Sequence, residues 1–236
     1  MVTYIWDKIY FIGTSHISIN SVNEVKSFIK NNKPDMVAIE LDHLRYISIN
    51  SKENSKGISF KDIRYIGFKG YLFGIIGHYV QKKIGNMVGV DPGSEMITAI
   101  DLCKEHKIPL FLIDQEIKIT LKRLSKLMTW KERFTIVYDI IISPFRRNIE
   151  GVDFKKIDLR KVPDSKFIET MMFIMKKRYP SFYKSLIDER NKVMAKNLYR
   201  IKQDNPNKLI LAIVGAGHIQ GIKKIVERDY NQISKS

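Results

Sequence analysis

"LILAIVGAGHIQG", residues 209–221, is the stretch whose reading decides the fold. Leu209–Gly215 is an unbroken apolar run between a lysine and a glycine-rich turn. A run this short reads as a strand covered on both faces, because strands of a parallel sheet need not alternate polar and apolar residues. The chain then turns through Gly215 toward His218. Near the other end, "FIGTSH" (residues 11–16) repeats the phrase, with Gly13 three residues before His16.

Three further runs have the same character: Lys8–Gly13, Met36–Glu40 and Pro109–Asp114. Helical patterns separate them. "SVNEVKSFIKNN" places Val22, Val25, Phe28 and Ile29 on one face, and "SEMITAIDLCKEH" turns Met96, Ile97, Ile100 and Cys103 inward. This alternation predicts an α/β fold with a largely parallel central sheet flanked by helices, as one domain over residues 1–236. Residues from about 115 to 205 show three or four helical patterns and no clear strand, so a helical insertion or cap is expected before the last strand.

The polar residues that end these strands carry the chemistry. In an open parallel sheet all carboxyl ends lie along one edge, where ligands bind. That edge would collect His16, Glu40, Asp114 and His218. Glycine before each histidine suits a chain leaving a strand for a helix, in a conformation that glycine adopts cheaply, and it lets backbone and ligand approach closely. Two neutral imidazoles and a carboxylate form a common divalent-metal ligand set, with a position left for water. His16, His218 and Glu40 are therefore the expected metal ligands, and manganese, cobalt and zinc all fit. Glycines at 215, 217 and 221 do not match the G-x-G-x-x-G spacing of dinucleotide-binding folds.

Other candidates follow from position. Glu95 falls in the first turn of a helix, where a carboxylate is also favoured by the helix dipole. Asp42 suits a helix cap. Arg190 lies among Leu186, Val193, Met194 and Asn197 on an apolar stripe, so it should be buried against a carboxylate from Glu40, Glu95 or Asp114.

Composition narrows the classes. The net charge of +16 over 236 residues is high, yet no dense Lys/Arg block or nucleic-acid motif accompanies it, so no nucleic-acid partner is expected. Cys103 is the single cysteine, which excludes an internal disulfide and predicts a packed thiol. The opening "MVTYIWDKIYF" lacks the basic start and apolar core of a signal peptide, and "GYLFGIIGHYV" (residues 70–80) is shorter than the roughly 20 residues of a membrane span. A soluble domain is expected.

"GTSHIS" (13–18), "PDMVAIELDHLR" (34–45), "DPGSEMITAI" (91–100), "LIDQEIKITLKR" (112–123), "DERNKVMAKNL" (188–198) and "VGAGHIQGI" (214–222), in this order, resemble the TraB/PrgY family, related to the Tiki metalloproteases and the GumN proteins. The match ends its two G-x-x-H motifs at His16 and His218, its acidic strand end at Glu40, its G-x-E segment at Glu95 and its E-R pair at Glu189 and Arg190. Where the family usually has arginine after the aspartate of "LIDR", this chain has Gln115. The resemblance implies an EreA/ChaN-like fold and, by analogy with Tiki, metal-dependent cleavage of a peptide or protein substrate. Glu95 would then act as general base or behind the metal ligands, and Arg45 and Arg190 would steady an oxyanion or a substrate carboxylate. It also implies that such a domain can belong to a membrane-anchored prokaryotic protein, through a segment absent from this chain; a homodimer is compatible. The alternative from another class is a non-catalytic peptide-binding or regulatory protein that sequesters a partner. A basic binder of nucleic acid or membrane surface is a third.

Overall fold

The computed structural model describes residues 4–14, 19–50, 63–68, 71, 74–75, 93–142, 148–149, 152–153 and 165–230. The central sheet has five strands: β1 (Tyr4–Trp6), β2 (Ile9–Thr14), β3 (Met36–Ile39), β4 (Leu110–Leu112) and, far along the chain, β7 (Ile210–Gly215). Their spatial order is β1-β2-β7-β3-β4. β2, β7, β3 and β4 run parallel to one another, with β7 at the centre. Only β1 is antiparallel, joined to β2 by a two-residue turn at Asp7 and Lys8, both with positive φ. Such turns match the twist of the strands they join.

β7 is apolar throughout because both its faces are covered. Ile210, Ala212 and Val214 face Met194, Ala195 and Leu198 of α8 (Glu189–Asp204) and Ile219 and Ile222 of α9 (Ala216–Ile225). Leu211 and Ile213 face the opposite layer, where Val25, Phe28 and Ile29 of α1 (Ile19–Asn32) meet Met96, Ala99, Ile100 and Cys103 of α3 (Ser94–Glu105). The result is a helix–sheet–helix sandwich, the α/β architecture with a largely parallel sheet flanked by helices that the sequence predicts. Cys103 is packed in that second layer, and burial pushes its thiol up to about 11. The helix α2 (His43–Asn50) follows β3, its start capped by Asp42, whose Oδ1 accepts the Arg45 backbone N–H at 3.0 Å.

Between β4 and β7 the chain runs through α4 (Ile117–Leu127), α5 (Trp130–Ile142), α6 (Ser165–Arg178) and the short α7 (Pro180–Phe182), then a π-helical segment (Tyr183–Asp188) that leads directly into α8. This stretch also contains a small antiparallel pair, β5 (Asn148–Ile149) with β6 (Val152–Asp153), which the sequence pattern does not announce. Two residues per strand are too few to show a period of two. Among the described residues no helix is long and apolar enough to cross a membrane.

One buried carboxylate fastens two helix starts in this region. Glu132 accepts the Thr129 backbone N–H at 3.0 Å while its own N–H donates to Thr129 Oγ1 at 3.2 Å, a reciprocal cap at the start of α5. The same carboxylate accepts the Ser181 N–H and the Ser181 hydroxyl, each at 2.6 Å, at the opening of α7. Burial alone would raise the Glu132 pKa, but these hydrogen bonds from Ser181 and Thr129 outweigh it and hold the carboxyl below the usual glutamate range. Because the folded value is depressed, the stabilisation is complete above the unfolded value near about 4.3 and is lost as pH falls through the folded value. Glu132→Ala should therefore cost about 1–3 kcal/mol in urea unfolding at neutral pH. The gap to wild type should narrow on acidification below about pH 4. A gap that stays constant down to acid unfolding would show that the carboxylate charge contributes nothing.

Candidate functional site

The site begins with the register of β3 against its neighbours. Ala38 faces the α8–α9 layer, so Glu40, two residues later, points the same way, beyond the strand's carboxyl end. There the Glu40 carboxylate, 3% exposed, meets α8 and the turn after β7. Its Oε2 accepts the Gly215 backbone N–H at 2.5 Å, and its Oε1 accepts a charged hydrogen bond from Arg190 Nη2.

Arg190 joins two strand ends. Its Nε and Nη2 donate to Asp114 Oδ1 and Oδ2 at 2.9 and 2.7 Å, a bidentate pair, while Nη1 donates to the Leu186 carbonyl at 3.2 Å. Burial would lower its pKa, but the charges of Glu40 and Asp114 and their hydrogen bonds outweigh it and hold the guanidinium above its ordinary value. It is a permanent cation. The low exposure and the carboxylate partners that its apolar stripe predicts are both found. Asp114 is also held from the residue after it: the Gln115 N–H donates to Asp114 Oδ1 at 2.7 Å, and the Gln115 side-chain amide turns away to Thr120 Oγ1.

His218 completes the cluster from the first turn of α9. Its Nε2 lies 3.4 Å from Glu40 Oε1 and its Nδ1 lies 2.7 Å from Asn191 Oδ1. Gly215, three residues earlier, has φ −57 and ψ 139, an ordinary extended conformation open to any residue. The expectation of a conformation special to glycine is therefore wrong here. What Gly215 contributes is its N–H, at close range to Glu40.

The remaining candidates lie around this core. The Arg45 side chain, 40% exposed on α2, reaches to 4.0 Å from Asp114 Oδ2. Glu95 is buried in the first turn of α3. That turn lies at the carboxyl edge, since α3 leads back into β4, but α3 covers the sheet face opposite α8 and α9. Gly93, which precedes it, has φ 85, so the turn into α3 does use a glycine-favoured conformation. His16 lies outside the described residues, as do Asp91 and Pro92 of the "DPG" turn and His78. Among the described residues, no group of three or more His, Cys, Asp and Glu side chains is disposed to hold a metal ion.

Two donor atoms nevertheless suit one. Glu40 Oε1 and His218 Nε2 are spaced like neighbouring ligands at bond lengths of about 2.0–2.2 Å. A hydrogen bond on the other ring nitrogen is what metal-bound histidines ordinarily have.

Asn191 is the residue that sequence reading misses. Its signal was Gly221, in the interior of α9, where glycine is costly unless something approaches closely. A Cβ there would lie 1.9 Å from Asn191 Nδ2.

Comparison with known proteins identifies the family of the chain. A profile of the TraB/PrgY/gumN family matches residues 6–232, and the chain belongs to that family. It is 37% identical over 220 residues to an uncharacterised protein of Methanocaldococcus jannaschii, covering 93% of this chain and 53% of the relative. It is also 24% and 23% identical to TraB domain-containing proteins of Bos taurus and Homo sapiens, over 95% of this chain and 64% of each relative. The chain thus spans about half to two thirds of the length of these curated relatives.

The ion cluster makes a direct demand on stability. Arg190→Met removes the guanidinium that Glu40 and Asp114 share and should cost about 3–5 kcal/mol in urea unfolding, since the two buried acids lose that partner. Adding Glu40→Gln to that variant should recover part of the loss. An Arg190→Met protein with unchanged unfolding would show that the side chain is peripheral.

Proposed function

We propose that this chain is a divalent-metal-dependent hydrolase acting on peptides or proteins, with its site at the carboxyl edge of the sheet. The observation that carries the reading is His218. Its ring is anchored through Nδ1 to Asn191, so that Nε2 faces the Glu40 carboxylate beside the end of β7. His218, Glu40 and His16 would hold a manganese, cobalt or zinc ion, which when bound supplies an activated water and polarises a scissile carbonyl. Arg190 neutralises Glu40 and fixes its orientation. Arg45, half exposed beside Asp114, is available to meet negative charge on the substrate, either a developing oxyanion or a terminal carboxylate. Glu95, at the same edge on α3, would act as general base or behind the metal ligands. We read the helices between β4 and β7 as a cap over this edge within one domain.

A second reading has its own support. Glu40 already has both oxygens engaged, by Arg190 and by Gly215. A carboxylate held so firmly suits a structural anchor, and the edge would then serve a peptide-binding or regulatory protein without turnover.

One comparison separates the two: wild type against His16→Ala and His218→Ala, with manganese, cobalt or zinc added and chelator as control. The hydrolase should bind metal and cleave a peptide library. Each variant should lose both properties while its circular dichroism is unchanged, because both residues follow strand ends in the sequence rather than falling within a strand. Cleavage that persists in the variants or in chelator rules out the metal mechanism. Peptide capture without turnover, surviving loss of metal, favours the binder.

A further inference from the structure

Arg190 and Asn191 are consecutive, yet they serve different partners. Arg190 reaches the carboxylates after β3 and β4, while Asn191 reaches the imidazole at the start of α9. Asn191 is 2% exposed, and its amide lies against Gly221, one turn along α9 from His218. Any larger residue at 221 would occupy the place of Asn191 Nδ2. The slot left by Gly221 therefore fixes where the Asn191 amide lies, and the amide in turn fixes the ring.

Which ring nitrogen carries the proton follows from these distances. Asn191 Oδ1 can only accept, and at 2.7 Å from Nδ1 it demands a proton there. Glu40 Oε1 competes for a proton on Nε2, but at 3.4 Å it lies beyond ordinary N–H···O range and already accepts from Arg190. Free neutral histidine prefers the other tautomer, with the proton on Nε2, so the protein is working against the intrinsic preference of the ring.

We propose that Asn191, seated in the slot that Gly221 leaves on α9, is a positioning residue that holds neutral His218 as its Nδ1–H tautomer and so presents the unprotonated Nε2 lone pair to the site beside Glu40. The inference deepens the hydrolase reading and rests on it for its purpose, because an Nε2 lone pair is what a metal ligand or a general base requires.

The test reads the tautomer directly in metal-free protein, by two-dimensional ¹⁵N–¹H NMR of imidazole-labelled chain in chelator at about pH 8, where an ordinary histidine is neutral. His218→Ala assigns the signals. In wild type the pyridine-like ¹⁵N resonance should belong to Nε2. In Asn191→Leu and in Gly221→Ala it should move to Nδ1, and Asn191→Asp, which keeps an acceptor oxygen, should restore it to Nε2. A merely structural asparagine would leave the tautomer unchanged in all of them. Wild-type His218 protonated on Nε2, or a tautomer unaltered by Asn191→Leu, overturns the proposal; the wild-type measurement alone decides if the variants do not fold. Because neither metal nor turnover enters the readout, the two readings fail separately. The expected tautomer in a chain that binds no metal would sink the hydrolase, whereas metal binding with an unaltered tautomer would sink the role of Asn191.

Discussion

Arg190 carries its positive charge behind the carboxyl edge of the sheet, with a side chain only 15% exposed, and the surrounding strands are tied together by the need to neutralise it. A guanidinium withdrawn from water requires carboxylates with good geometry, or its desolvation is not repaid. Glu40 and Asp114 provide them from 150 and 76 residues away in sequence, at the ends of two neighbouring parallel strands. The carboxylates in turn draw in backbone donors: Gly215 from the central strand reaches Glu40, and Gln115 reaches Asp114. One side chain on α8 thus links the ends of β3, β4 and β7. That linkage sets where His218 stands, since α9 begins at the residue after Gly215.

Much of this could be read from residues. The four parallel strands are apolar runs, β2, β3 and β7 mostly buried and β4 half-buried at the sheet edge, and Arg190 betrays itself as a cation on an apolar stripe. The features that escape have local physical reasons. The first hairpin turns on Asp7 and Lys8 without a glycine; aspartate tolerates positive φ, but lysine beside it gives no turn signal. The pair β5–β6 is too short to show alternation. The π-helical segment from Tyr183 to Asp188 has no distinct apolar period, although it determines how α8 enters the site. Gly215 suggested a special backbone conformation and instead provides a close N–H. Asn191 was hidden because a buried asparagine has no periodicity of its own; only the glycine opposite it marks the contact.

The phase of α8 is what makes one helix serve two partners. Successive residues of an α-helix point about 100° apart. Arg190 and Asn191 can satisfy different partners only if α8 lies in the angle between the sheet edge and α9, with one residue facing each. The apolar contacts of Met194, Ala195 and Leu198 with Ala212, Val214, Ile219 and Ile222 hold it in that angle. Upstream, the π-helical turn carries one more residue per hydrogen-bonded ring than an α-turn, with the Glu189 N–H donating to the Lys184 carbonyl. The wider turn changes the rotational phase at which α8 starts, and the Leu186 carbonyl within it accepts from Arg190 Nη1. Removing one residue from that segment would turn α8 by about 100° and point Arg190 and Asn191 away from both partners at once. The irregular turn is therefore a condition of the site: carboxylate pairing and imidazole positioning depend on the same rotation of the same helix.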